Sequence, residues 1–407
     1  MSRKHRRRII LERNTNLLAL AGLVWLSFSL SAAARAQFLI IGDDNKLHWD
    51  DTGKKVYTEP GKDEVVIVDI KDPEAPKIVA SLPLMNTVVG PPTNLAITPD
   101  ESLALVANSL AYQPDGVGWR PVPDNKLFVV DLHPPVPELI ATVEVGRQPS
   151  GLAINRKGDL LLIANRADNS ISVLTIRGKE VKLVDTVPVG DTVSAVAITP
   201  DGKHALASKD SANKVAWLDI DGQKVTYNKV DLGVGVCPFN VQITADGRFG
   251  LSANDGNACV PDGGAGSVSV IDLKSTPPRV VDYLGIDHFP EGLAINPTGN
   301  LAVALALNGS GGSLSKDAWF AHPNTIVDVI STAGGNVRKV GAVNAGRQAE
   351  GVAFSPDGKY LYVANWYVGD FAPGNLQIYR VQGNSVVDTG KSLRLPGHPA
   401  SMRSSVP

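Results

Sequence analysis

Several common functional signatures are missing from this chain of 407 residues. It has only two cysteines and no CxxCH, so covalent attachment of a c-type haem is excluded by its own chemistry. There is no HExxH, no nucleophile elbow and no phosphate-binding glycine loop. Nor is there a basic stripe; with a formal net charge of −2, the chain offers nucleic acid no electrostatic footprint. No segment carries a long apolar pattern of period 3.6, so helices should be scarce. The one sustained apolar run, Leu17 to Leu30, is shorter than the roughly 20 residues of a membrane span.

That run nevertheless has neighbours that give it a meaning. A basic cluster, Arg3 to Arg8, precedes it, and the small-residue pattern Ala34-Arg35-Ala36 follows it. This is the layout of a cleaved export signal, which sets residues 1–36 apart from a mature chain starting at Gln37. The mature protein is expected in the periplasm or outside the cell, as a monomer with no membrane span.

What the chain has in quantity is a repeated phrase. GLAINRKGDLLLIAN, AVAITPDGKHALAS, NVQITADGRFGLSAN, GLAINPTGNLAVALAL and GVAFSPDGKYLYVAN are versions of one unit. Taking Thr93, Ser150, Ser194, Phe239, Glu291, Glu350 and Ala400 as equivalent points gives spacings of 57, 44, 45, 52, 59 and 50 residues, the period of a propeller blade. Each unit holds four short β-rich runs, A to D from the centre outward, separated by turns. Six units run complete from Thr93 to Leu395. The ends supply the seventh: His398 to Met402 has the opening of an A strand, while Phe38 to Ile41, Val65 to Ile70 and Ile78 to Leu82 read as B, C and D. The expected fold is therefore all-β, a seven-bladed propeller spanning residues 37–407 and closed by strands from both termini.

The pattern resembles the YVTN family of seven-bladed propellers, with Leu361-Tyr362-Val363-Ala364-Asn365 in the eponymous position. The resemblance implies the fold. It leaves function open, because the wider group includes lactonases, d-type haem domains of nitrite reductases, methylamine dehydrogenase heavy subunits and cell-surface proteins.

Strand order sorts the connections between two faces. The A-to-B turns are terse and alike, as in Thr199-Pro200-Asp201-Gly202 and Ser355-Pro356-Asp357-Gly358, and their proline and Asp-Gly serve the backbone. The B-to-C loops are long and unlike one another, and they share a face with the D-to-A links. They cover Leu110 to Asn125, Asp255 to Gly266, Asn308 to Asn324, Trp366 to Gly374 and Gly42 to Asp63. Trp49, Trp119, Trp319 and Trp366 sit in them, either as contacts for a ligand or partner or as a lid packed on itself. Cys237 and Cys259 fall on this face too, and in an exported chain they are expected to form a disulfide.

The D-to-A links bring candidate chemistry to the rim of the channel. Glu291 and Glu350 occupy equivalent positions in adjacent blades. They are candidates for a proton-sharing general base, for oxygen ligands to a divalent cation such as Ca2+, or for partners of nearby arginines. Arg147 and Arg347 suit an anionic ligand or an inter-blade ion pair, with Arg166, Asn94 and Asn240 as further polar contacts. His288 and His398 are candidates for acid/base work or for ligation of a non-covalent haem. The acidic stretch Asp43-Asp44-Asn45 with Asp50-Asp51 could hold calcium too, but it lacks the spacing of an EF-hand loop and reads better as a solvated loop.

Three functions remain. The first is a non-catalytic binding or scaffold protein docking an envelope protein or glycan through Trp119, Trp319 and Trp366. The second is a lactonase-like hydrolase or isomerase of a small polar or anionic substrate. There, Glu291 or Glu350 is the base, His288 or His398 the acid, and Arg147 with Arg347 the clamp. The third is a redox protein with non-covalent haem. The sequence ranks them in that order.

Overall fold

The computed structural model describes residues 37–368 and 372–405; the proposed export signal lies outside the described residues. Every sheet follows from the period-2 alternation of its strands. In the B strand Phe38–Asp43, Phe38 and Ile40 pack towards the first blade, whereas Leu39 and Ile41 pack towards the sixth. Both faces of each blade are thus apolar and must be covered by a neighbour. Each of the seven gaps between blades holds one apolar cluster.

Seven four-stranded antiparallel sheets result, each running A-B-C-D outward. The A strands are Leu95–Ile97, Pro149–Ile154, Val193–Ile198, Pro238–Ile243, Pro290–Ile295, Arg347–Phe354 and Pro399–Ser404. The last belongs to the closing blade, where it pairs with Phe38–Asp43 in the register Leu39 to Ser404 and Ile41 to Met402. Closure by both ends is as the sequence implies. A bulge follows Gly42, where a Cβ would stand 2.7 Å from the Asn86 side-chain oxygen, so glycine is required there. Among the described residues there is no α-helix, only 3-10 turns at Asn257–Cys259 and Ala333–Gly335.

The A-to-B turns show why their sequences are uniform. Thr199 and Thr244 donate to Asp201 and Asp246 at 2.6 and 2.7 Å, and Ser355 donates to Asp357 at 2.6 Å. Gly202, Gly247 and Gly358 follow with φ between 65° and 69°. The first blade has Glu101 at this position, held at φ 58° without the glycine.

Two expected loops are in fact strands. In the first blade, Leu103–Asp115 and Gly118–Asp131 form one long hairpin that absorbs most of Leu110 to Asn125. In the sixth, the strands Tyr360–Val368 and Ala372–Gln382 do the same for Trp366 to Gly374. The closing blade's insertion contains a small hairpin of its own, Leu47–Trp49 with Lys55–Tyr57.

Candidate functional site

Backbone conformation in the D-to-A links decides which side chains reach the channel. Gln148, Cys237, Phe289 and Gln348 all adopt φ between 50° and 61°, a left-handed step just before the A strand. In two of these links the residue ahead of the step is exposed. Arg147 is 64% exposed and pairs with Asp168, Nε to Oδ1 at 2.7 Å. Val236 is likewise exposed. Arg347 lies against the Tyr367 ring in a cleft of about 690 Å3 between blades five and six. The structure does not bring the two arginines together: Arg147 pairs with Asp168 at the surface, and Arg347 lines the cleft beside Tyr367.

Beyond the step, the A strand turns its side chains inward. Glu350 is 3% exposed and Glu291 partly so. Asn240 donates from Nδ2 to the Glu291 carbonyl at 3.0 Å, and Asn94 donates to the Ala107 carbonyl at 3.0 Å. Gln348 Nε2 donates to Glu350 Oε1 at 3.2 Å, while Glu350 Oε2 has no hydrogen-bond partner.

A second set of polar residues sits one position past the B strands of blades two, three and four. Arg166 follows Leu160–Asn165 and contacts Asp210 through Nη2 at 3.2 Å, with its guanidinium 5.4 Å from the centre of the Phe239 ring. Asp210 also accepts from Ser194 Oγ at 2.7 Å. Asp255, the equivalent residue of blade four, is 3% exposed and has an unpartnered Oδ1. Sequence reading missed Asp210 and Asp255. The signal was available: Arg166, Asp210, Asp255 and Asp44 each stand one residue past the end of a B strand.

These groups act on one another electrostatically. Burial pushes the Glu291 carboxyl up to about 7, opposed by the charges of Lys55 and Arg166. Burial raises Glu350 well above the carboxylate range, and the Glu291 charge raises it further. Asp255 is raised by burial, then by Glu291 and Asp210. Burial therefore biases each of these carboxyls towards its protonated form, and acidic neighbours add to the bias at Glu350 and Asp255.

The histidines and tryptophans divide between packing and surface. His288 Nε2 accepts from the backbone N–H groups of Asp262 and Gly263 at 3.2 and 3.1 Å, and the ring meets Phe320 edge-on at 5.1 Å. His288 braces two loops, and burial holds it below its ordinary value. His398 stacks on Trp366 at 5.4 Å, its Nδ1 3.0 Å from the Trp366 carbonyl oxygen. His288 Nδ1 is enclosed without a hydrogen-bond partner. Trp366 is fully buried and packs with Trp49, so it cannot bind a partner; Trp119 is half-buried, and Trp319 is 83% exposed.

The acidic stretch does not converge as a cation site. Asp44 binds Lys46, Asp50 caps its own hairpin turn through Thr52 and Lys54, and Asp51 pairs with Lys316. Among the described residues, no three His, Cys, Asp or Glu side chains converge to hold a metal ion. Cys237 and Cys259 are disulfide-bonded, with Cα atoms 5.5 Å apart.

Residues 46–236 match the family model "Lactonase, 7-bladed beta-propeller". That stretch carries the lactonase-propeller pattern. No curated protein sequence matches the chain. Among solved structures, a putative 6-phosphogluconolactonase from Bacteroides fragilis is similar with a TM-score of 0.67 and 16% identity, over 92% of this chain and 99% of that one. The periplasmic gluconolactonase of Pseudomonas aeruginosa gives 0.64 and 18%, over 91% and 99%. A dihydro-heme d1 dehydrogenase gives 0.53 and 16%, over 90% and 75%. At these identities the likeness is one of fold.

Proposed function

We propose that the protein is an exported hydrolase of small cyclic esters, acting at the channel mouth where Glu291, Glu350, Asp255 and Arg166 meet. The observation that carries this reading is that Glu291 and Glu350, at equivalent positions in adjacent blades, are both enclosed and both raised by burial, Glu291 to about 7 and Glu350 well above the carboxylate range, which suits the first as a base and the second as an acid near neutral pH. The lactonase pattern over residues 46–236 and the fold-level likeness to lactonases add support. A disulfide and the basic-then-apolar leader support export.

In this mechanism, ionised Glu291 takes a proton from water as its oxygen bonds to the lactone carbonyl carbon. Arg166 donates to the developing oxyanion. Collapse of the tetrahedral intermediate breaks the bond to the ring oxygen, which takes the proton held by Glu350. The product is the open hydroxy acid, and the proton on Glu291 goes back to Glu350. His288, His398, Arg147 and Arg347 take no part in this mechanism.

The scaffold role ranked first by sequence gains no support from the comparisons, and of the three tryptophans offered for it Trp366 is enclosed. A pH-stat assay of lactone hydrolysis tests the proposal. Glu291→Gln should lower kcat/KM by about 10²–10⁴-fold, and wild-type activity should rise as pH passes through about 7, where Glu291 ionises. Unchanged turnover in both Glu291→Gln and Glu350→Gln would sink it.

A further inference from the structure

The cleft between blades five and six stands apart from the proposed reaction, for none of Glu291, Glu350, Asp255 and Arg166 lines it. Its volume of about 690 Å3 lies within the range of small-molecule sites, about 300–1,000 Å3. One wall comes from the insertion of blade five and the other from the four strands of blade six.

The blade-six wall departs from the repeat. In blades two and four the asparagine that ends the B strand donates from Nδ2 to two serines of the C strand: Asn165 to Ser170 and Ser172 at 3.0 and 2.9 Å, Asn254 to Ser267 and Ser269 at 3.1 and 3.0 Å. Blade six puts longer amides in the same register, Asn375 and Gln377 beside Asn365, and both line the cleft.

The direction of this amide network is fixed at both ends. Gly346 N–H donates to Asn365 Oδ1 at 2.8 Å, so Asn365 Nδ2 donates onward, to Asn375 Oδ1 at 2.8 Å and Gln377 Oε1 at 3.2 Å. Gln377 Nε2 then donates to Asp388 Oδ2 at 2.8 Å. With its oxygen engaged, Asn375 presents an NH2 group that has no acceptor among the described residues.

Charge acts in the same sense. Arg347, Lys316 and Lys391 line the cleft with a single carboxylate, Asp388. Asp51 offsets Lys316, but Glu74 is divided between Lys391 and Arg380, which leaves a surplus of positive charge beside the cleft. Such a wall stabilises an anion rich in acceptor oxygens. Its two ends differ, however. Arg347, Tyr367 and Pro373 are paired at the loop end, Asn365 and Asn375 come next, and Gln377 with Asp388 lies about 7 Å beyond Asn375. Apolar side chains are few in the lining, so the ligand is polar along its length.

The geometry points to a binding site for a uronic acid, free or as a residue of a saccharide chain. Its carboxylate takes the donors of Arg347 and Asn375, and its hydroxyl groups donate to Asp388 at the other end. This site is independent of the lactone-hydrolase reading.

Calorimetric titration of the mature protein with D-glucuronate and trigalacturonate tests it, with glucose and maltotriose as uncharged counterparts and triglutamate as a peptide one. The uronates are expected to bind at least tenfold more tightly than the other three. Trigalacturonate exceeding glucuronate marks a saccharide chain as the source, and the reverse or equality marks the free acid. Asn375→Ser combined with Gln377→Ser installs the residues that blades two and four carry. That double variant should weaken uronate binding at least tenfold with an unchanged melting temperature. If it melts lower, Asn375→Ser alone, which keeps the Gln377 contact to Asp388, carries the comparison. Arg347→Gln should weaken binding and flatten its salt dependence. Absence of uronate binding, equal binding of the uncharged sugars or triglutamate, or undiminished binding by the serine variants overturns the inference.

Discussion

Asp43 and Lys46, three residues apart in the closing blade, bury charge in two different ways. Lys46 is fully enclosed, yet Nζ meets Asp44 Oδ1 at 3.1 Å, Asp63 Oδ2 at 2.5 Å and the Asn86 carbonyl, so its charge is compensated. Asp43 has no cation beside it. Its Oδ2 accepts from the Gly397 N–H at 3.0 Å, Oδ1 is unpartnered, and burial pushes its carboxyl from 3.8 up to about 8. The folded state therefore holds a proton that the unfolded chain releases near its ordinary value. This contribution is full below about pH 4, declines as pH rises and is gone above about 8. Asp43→Asn should flatten that decline, so chemical denaturation at pH 5 and pH 8.5 should show a smaller loss of stability in the variant than in the wild type.

At the scale of strands and loops, the repeat was legible because its causes are local. Alternation, Asp-Gly turns and blade length follow from backbone geometry that each unit meets alone, and even the split seventh blade could be assembled from its fragments. The rim was less legible. Arg147 and Glu350 both lie in links of similar sequence, yet a left-handed residue between the two positions sends one outward and the other inward. That step falls on Gln148, Cys237, Phe289 and Gln348, residues whose types do not announce positive φ. Asp210 and Asp255 were overlooked because a B strand and its following residue look like structure until the ring is closed. The loop elements depend on cross-bracing of another kind. The disulfide closes a segment with a sequence separation of 22, while His288 ties the same loop to the next blade. Replacing both Cys237 and Cys259 with serine should lower unfolding free energy by about 3 kcal/mol, as a denaturation midpoint would show. Because the disulfide-closed loop and the His288 contacts lie beside Glu291, reduced lactone turnover is expected along with it.

Across the whole molecule, no blade can cover its own faces, and the ring is only as secure as its weakest seam. The seam that joins the two ends of the chain is the pairing of Pro399–Ser404 with Phe38–Asp43. Met402 is fully buried there, and loss of such a side chain alone costs about 2–5 kcal/mol. Deleting residues 398–407 should consequently lower the melting temperature of the entire protein and broaden its transition, as calorimetry would reveal. A deletion that leaves the melting curve unchanged would mean that six and three-quarter blades suffice.

The same seam has a topological consequence. Ser405 N–H donates to the Phe38 carbonyl at 2.9 Å, so the first and last strands of the ring end side by side. Joining them with a short linker would make the described chain a closed loop without a beginning, and it could be reopened elsewhere, at an exposed A-to-B turn such as Gly202-Lys203. Such a circular permutant would keep every contact described above while moving the point of closure from the seventh blade to the third. The order in which blades leave the ribosome would then be separable from the order in which they stand in the ring.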